Sequence, residues 1–185
     1  FAGTRNRYYV LLCDGMGTGE GAAYEAKTAA NMLRRMLTAG YPTDYALQSL
    51  NSLCVLRGSA GAVTVDLAEL HLDTGHAHLY KWGAAPSWVL TRRGCKKIGT
   101  ATPPPGMGVE STRMSVAKLS LRRGELLVLL SDGVEAEEIP QLSSDTLEGP
   151  TGPLADKILD WGTKNAEDDA TAAVFRLHSL GLATS

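Results

Sequence analysis

Three acidic motifs stand far apart in this chain: Asp14-Gly15-Met16-Gly17, Ser131-Asp132-Gly133 and Asp168-Asp169-Ala170-Thr171. The first two follow strand-like apolar runs, Tyr8–Cys13 and Leu126–Leu130, and the third precedes one, Thr171–Phe175. An apolar strand that ends in a carboxylate and a glycine carries that carboxylate from a rigid sheet into a tight loop. If the three ends adjoin in space, they form a hard-oxygen site suited to Mg2+ or Mn2+. Each aspartate alone has a plainer use: Asp14 as a turn former, Asp132 as a helix N-cap, Asp168 as a solvated loop residue. Their shared placement at strand ends, beside Gly or Thr, is what favours the metal reading. Glu135, Glu137, Glu138 and Glu167 lack that placement and read as a solvated face.

Other chemistries find less support. Gly17-Thr18-Gly19-Glu20-Gly21-Ala22 fits the dinucleotide-binding pattern G-x-G-x-x-A. A Rossmann unit then needs its helix to return to a parallel strand ending in an acidic residue. Here the first helix leads to a second helix and then to hairpins, so the lone fingerprint is a weak sign of a nucleotide. The glycines' alternative use is to bring backbone close to a metal and its phosphate ligand. His71, His76 and His78 flank the Asp73-Thr74-Gly75 turn, and His76 and His78 share a strand face, but no fourth ligand of suitable type lies nearby. An exposed hairpin is the simpler reading. Trp82, Trp88 and Trp161 read as core or edge packing. No nucleophile elbow appears and no Cys adjoins a His, so any chemistry is metal-borne.

Elements that position the motifs follow from periodicity. A helical stripe runs from Glu20 to Ala39 through Ala22, Ala26, Ala29, Leu33 and Met36, with Ala23, Ala30 and Leu37 widening it. Thr43 is placed to N-cap a second helix whose apolar face is Ala46, Leu47, Leu50, Leu53 and Cys54. From Gly61 the period shortens to that of strands. Asp73-Thr74-Gly75 joins Val63–Leu70 to His76–Trp82, Arg92-Arg93-Gly94 follows Trp88–Leu90, and Arg122-Arg123-Gly124 joins Met114–Leu121 to Glu125–Leu130, each as a hairpin. Thr102 to Gly108 is a stiff proline-rich surface loop, Pro140 to Gly152 another loop, and Leu154–Trp161 a short helix. Hairpin-joined strands are antiparallel, and helices grouped in batches favour α+β layering.

Bulk properties agree with one domain over residues 1–185. The chain is 44% hydrophobic and 21% charged, ordinary for a globular fold. A formal net charge of −2 argues against nucleic acid as a partner. No apolar run nears the roughly 18 residues of a membrane span. Three widely spaced cysteines, Cys13, Cys54 and Cys95, suit reduced thiols and a cytoplasmic location.

Taken together, these residues resemble the metal-dependent serine/threonine protein phosphatases, and within them the bacterial branch of the stage II sporulation protein E phosphatase domain. The landmarks are Asp14-Gly15-Met16-Gly17, the helix entered through Gly19–Ala23, Leu50-Asn51-Ser52-Leu53 with Leu56-Arg57, and Val65-Asp66-Leu67. They continue with Lys81-Trp82-Gly83-Ala84-Ala85-Pro86-Ser87, Leu130-Ser131-Asp132-Gly133 and Asp168-Asp169-Ala170-Thr171, in family order over nearly the whole chain. The resemblance implies two packed antiparallel β-sheets flanked by helices, an α-β-β-α sandwich. It implies two Mn2+ or Mg2+ ions held by Asp14, Gly15 through its carbonyl, Asp132 and Asp168, with Asp169 a neighbour. The implied reaction is hydrolysis of phosphoserine or phosphothreonine by a metal-activated water, in a sporulation or sigma-factor pathway, on a protein such as an anti-sigma-factor antagonist. Family members carry a further acidic residue on an upstream strand. None of the thirteen residues before Asp14 is acidic, so the expected domain lacks its N-terminal strand or strands. That departure keeps a second class open, a catalytically weak phosphatase-like binding or sensor module. The first two helices, tied to Asp14 by glycines, form the expected docking face for a regulatory domain.

Overall fold

Strand-forming runs lie on either side of a helical stretch, and the computed structural model turns that order into layers. It describes residues 2–3, 6–17, 19–58, 62–107, 114–137, 139, 142, 148–163 and 169–178. Asp168 lies outside the described residues, as do Gly108, Glu138 and Glu167. In chain order the described elements are β1 (Ala2–Gly3), β2 (Arg7–Gly15), α1 (Glu20–Thr38), α2 (Thr43–Arg57), β3 (Val63–His71), β4 (His76–Trp82), β5 (Ser87–Thr91), β6 (Gly94–Ile98), β7 (Ser115–Ser120), β8 (Leu126–Leu130), α3 (Thr151–Gly162) and β9 (Ala172–Arg176). Two sheets result, one ordered β1-β2-β3-β4-β7 and one ordered β6-β5-β8-β9. Every strand pair in both is antiparallel, which excludes the parallel return of a Rossmann unit.

Alternation along each strand sorts its side chains between layers. Tyr9, Val63, Val65, Leu67 and Trp82 face α1 and α2, where they meet Leu33, Leu37, Leu47 and Leu50. Val10, Ala68, Leu70, Ala77 and Leu79 face the second sheet and meet Val89, Leu127 and Leu129. The outer face of that sheet, with Trp88, Leu126 and Val128, packs on Leu154 and Ile158 of α3. Because β3 and β8 are covered on both faces, they are buried almost without a break. This is the expected α-β-β-α sandwich.

Three local expectations change. The Arg122-Arg123-Gly124 turn is no hairpin: β7 pairs with β4 in the first sheet, whereas β8 pairs with β5 and β9 in the second. Leu121 enters the inter-sheet core just before the turn and the Gly124 amide donates to the Leu177 carbonyl, so the turn carries the chain across the sandwich. Thr43 is the first helical residue of α2 rather than its cap. Its hydroxyl donates instead to the buried Glu69 carboxylate at 2.7 Å. The proline-rich stretch does not stand free either, since Pro105 is buried and the Gly106 amide donates to Asn51 Oδ1 on α2 at 2.9 Å.

Candidate metal centre at one pole of the sandwich

Register alone brings the first two acidic motifs to the same end of the molecule. Asp14 is the penultimate residue of β2, opposite Thr64 at the start of β3. The end of β4 lies beside that start, where Val65 bridges to Gly83. Four residues later Ser87 opens β5 in the other sheet. Since β8 is antiparallel to β5, its end at Leu130 returns to the same pole and places Asp132 there. β9 begins at that pole too, with Ala172 opposite Leu130.

Ser131 joins the second motif to the third. Its amide donates to the Thr171 carbonyl at 3.0 Å, while the Thr171 amide donates to Ser131 Oγ at 2.9 Å. Ser131 Oγ in turn donates to the Asp169 carbonyl at 3.3 Å. The loop bearing Asp132 and the segment from Asp169 to Thr171 are therefore tied directly to each other. Asp132 and Asp169 are exposed and Asp14 is half-buried. Asp132 also lines a cleft of about 240 Å³ walled by the small residues Gly83, Ala84, Ala85, Gly99 and Ala101.

Gly15 is fixed by contact. A Cβ built there would come to 2.0 Å from the Ala22 carbonyl oxygen, so the first turn of α1 rests on bare backbone. Sequence pattern exposed the glycine but not this reason for it.

A second polar group at this pole carried no role in the sequence reading. Asp66 on β3, Lys81 on β4 and Ser87 on β5 form a buried triangle between the sheets. Lys81 Nζ donates to Asp66 Oδ2 at 2.5 Å and to Ser87 Oγ at 2.7 Å, and Ser87 Oγ donates to Asp66 Oδ2 at 2.8 Å. Asp66 and Lys81 are each 1% exposed, and Asp66 Oδ1 has no hydrogen-bond partner among the described residues. Burial pulls the Lys81 ammonium down and pushes the Asp66 carboxyl up, and each charge opposes the shift of the other. The Lys81 stem packs where a Gly99 side chain would sit, with Lys81 Cδ 2.4 Å from a Cβ built there. The triangle thus supports one wall of the cleft that holds Asp132. A sequence signal existed, in two charged residues inside continuous strand runs.

The histidines behave as the hairpin reading expected, with one addition. His76 is exposed, while His71 and His78 stack edge to face near Glu69. Among the described residues no three His, Cys, Asp or Glu side chains gather as a metal site.

Does the pole fit divalent cations? Its donors are carboxylates and backbone carbonyls, the hard oxygens that Mg2+ and Mn2+ prefer. Asp14 and Asp66 are also felt by a neighbouring group. The Cys13 thiol is pushed up to about 12, first by burial and then by the charges of Asp66 and Asp14. The residues present fit.

This layered fold is shared with solved PP2C-type phosphatase domains. The PP2C phosphatase domain, with a fragment of the regulatory domain, of SpoIIE from Bacillus subtilis aligns over 94% of this chain and 54% of its own, at TM-score 0.76 and 24% identity. RsbX in complex with magnesium aligns over 93% and 82%, at TM-score 0.73 and 11% identity. The model of the family described as stage II sporulation protein E (SpoIIE) matches residues 4–178, and the chain belongs to that family. Stage II sporulation protein E of Priestia megaterium is 33% identical over 131 residues, 69% of this chain. The chain spans 22% of the length of the curated relatives it matches. Among the described residues no helix is long and apolar enough to cross a membrane.

Proposed function

We propose that this chain is a metal-dependent protein serine/threonine phosphatase whose Asp14, Gly15, Asp132 and Asp168 hold two Mn2+ or Mg2+ ions. The observation that carries the reading is the register that sets Asp14 and Asp132 at one pole of a PP2C-type fold. When bound, the ions would supply a water acidic enough to attack at neutral pH and positive charge for the phosphoryl oxygens. The chain's own part is positional. Ser131 holds the Asp132 loop against the segment leading to β9, and Gly15 seats Asp14 beneath α1. The small side chains around Asp132 leave room for a phosphorylated serine or threonine. The substrate class is a phosphoprotein of a sporulation or sigma-factor pathway, such as an anti-sigma-factor antagonist.

Hydrolysis of p-nitrophenyl phosphate and of a phosphoserine protein across a manganese titration tests this. Asp132→Asn removes one charge from an exposed loop. Turnover should fall at least about 100-fold, consistent with several kcal/mol of metal-derived stabilisation. Stability should change by no more than about 0.5 kcal/mol. Near-normal turnover removes Asp132 from the site.

Regulation through α1 and α2 belongs to the same reading. Tyr24, Val55 and Leu56 are 63%, 57% and 85% exposed on this pair, and Met16 is 49% exposed beside Asp14. A partner or adjoining domain seated there would press on the helix that rests on Gly15. Ala26→Leu should then shift the manganese midpoint more than the melting temperature. A lowered melting temperature with a fixed midpoint would make the helices a plain cover for the core.

A further inference from the structure

At the pole opposite Asp14 and Asp132, three stretches remote in sequence build a basic cleft of about 650 Å³. Arg92 and Arg93 come from the β5–β6 turn, Arg122 and Arg123 from the turn between the sheets, and Arg176 from the end of β9. Five arginines thus gather in a chain whose net charge is −2, with His178 beside them. Two carboxylates also line the cleft, and each is engaged. Glu148 pairs with Arg92 at 2.8 Å, and Glu125 accepts the Arg122 amide at 2.8 Å. Arg93, Arg122 and Arg123 make no ion pair among the described residues. Like charges brought this close repel, so their grouping stabilises nothing within the fold itself.

Three features define what would fit. Guanidinium groups are planar forks matched to carboxylate and phosphate, which a lysine cluster would bind only as point charges. The cleft is far larger than one inorganic phosphate and its arginines come from separate walls, so the ligand carries several oxyanions along its length. Among the described residues no Phe, Tyr or Trp lines it and His178 is its one aromatic ring, so it lacks the row of stacking platforms that single-stranded nucleic acid uses. A flat anionic bilayer would meet projecting side chains rather than a concavity with carboxylates in its wall.

We propose that this cleft docks an acidic protein segment bearing clustered carboxylates or a phosphorylated side chain among them. The site is separate from the metal centre and does not depend on the phosphatase reading.

The test uses the whole chain and fluorescence anisotropy of a labelled hexa-aspartate peptide, with and without a phosphoserine. A single-stranded oligonucleotide and phosphatidylserine vesicles serve as competitors. Arg122→Glu combined with Arg123→Glu should weaken peptide binding at least about 10-fold, with the expected loss of affinity as salt rises. Lys96→Glu with Lys118→Glu makes the same change in net charge at exposed positions outside the cleft, and should weaken it less than about 3-fold. Both double variants alter exposed side chains, so melting curves should match the parent. The proposal is overturned if the two variants lose affinity equally, if no peptide binds, or if the oligonucleotide or vesicles displace the peptide at lower concentration.

Discussion

The two poles of this sandwich are joined by the same strands yet packed in opposite ways. At the carboxylate pole a side chain at Gly15, Gly83, Gly99 or Gly106 would meet its nearest atom at 2.0 to 2.8 Å. At the arginine pole Gly94 and Gly124 have nothing among the described residues within 4 Å of where a side chain would sit. Those four positions are closed, by backbone at Gly15, Gly83 and Gly106 and by the Lys81 stem at Gly99, while Gly17, Gly19 and Gly21 of the same pole stand open like the arginine turns. Close contact of this kind holds loops to a fixed geometry, which a multi-ligand cation site requires. Open turns with long charged side chains suit recognition by charge, where the ligand sets the final arrangement. The contrast is one of rigidity.

The largest effect should come from the buried triangle at the closed pole. Lys81→Met removes the partner of a carboxylate that is 1% exposed, leaving a buried charge without its counter-ion. Such single removals cost about 3–5 kcal/mol, more than the intact pair contributes. Urea denaturation should show that loss, and pairing it with Asp66→Leu should restore much of it. If Lys81→Met alone costs under about 1 kcal/mol, the triangle does not hold the sheets together at this pole.

A smaller difference separates the glycines. Gly15→Ala sets a methyl against the Ala22 backbone, which moves only with α1, so about 3 kcal/mol should be lost. Gly124→Ala meets open space and suffers only from its backbone φ of 85°, a strain of about 1–2 kcal/mol. Parallel denaturation of the two variants reads this directly. Equal costs would mean that the poles are packed alike, whatever their contacts.

Much of this was legible in the chain. Apolar runs ending in Asp-Gly marked the strand ends, and periodicity bounded α1 and α2 to within a residue or two. What stayed hidden was pairing between distant segments. Arg122-Arg123-Gly124 has the composition of a hairpin turn and makes a crossover, because only the partners of β7 and β8 distinguish the two. Thr43 has the character of a cap, but a buried Glu69 competes for its hydroxyl. Asp66, Lys81 and Ser87 lie on three strands and in two sheets, and the arginine cleft draws on positions as far apart as Arg92 and Arg176. The acidic motifs stood out because each carried its own local signature; the triangle showed only as two charged residues inside strand runs, and the cleft not at all.

The smallest effect concerns the other buried carboxylate of β3. Glu69 lies three residues beyond Asp66, toward the arginine pole and on the helix side of the sheet. It accepts from Thr43 and Tyr80 at 2.7 and 3.4 Å and pairs with Arg7 at 3.1 Å. Burial first, and the Glu69 charge second, push the Tyr80 phenol from 10.0 up to about 12. A raised folded value means that the unfolded chain gives up its proton first. The stability linked to the neutral phenol is therefore intact below pH 10 and is lost as the pH climbs to about 12. Tyr80→Phe removes that liability together with one long hydrogen bond, so it should cost about 0.5–1 kcal/mol at pH 7. Its deficit should then shrink between pH 10 and pH 12, as the parent alone loses the contribution of the phenol. Denaturation midpoints for both proteins across that window decide it. A deficit that stays constant would show that Tyr80 titrates alike in both states, and that Glu69 is held by Arg7 and Thr43 without it.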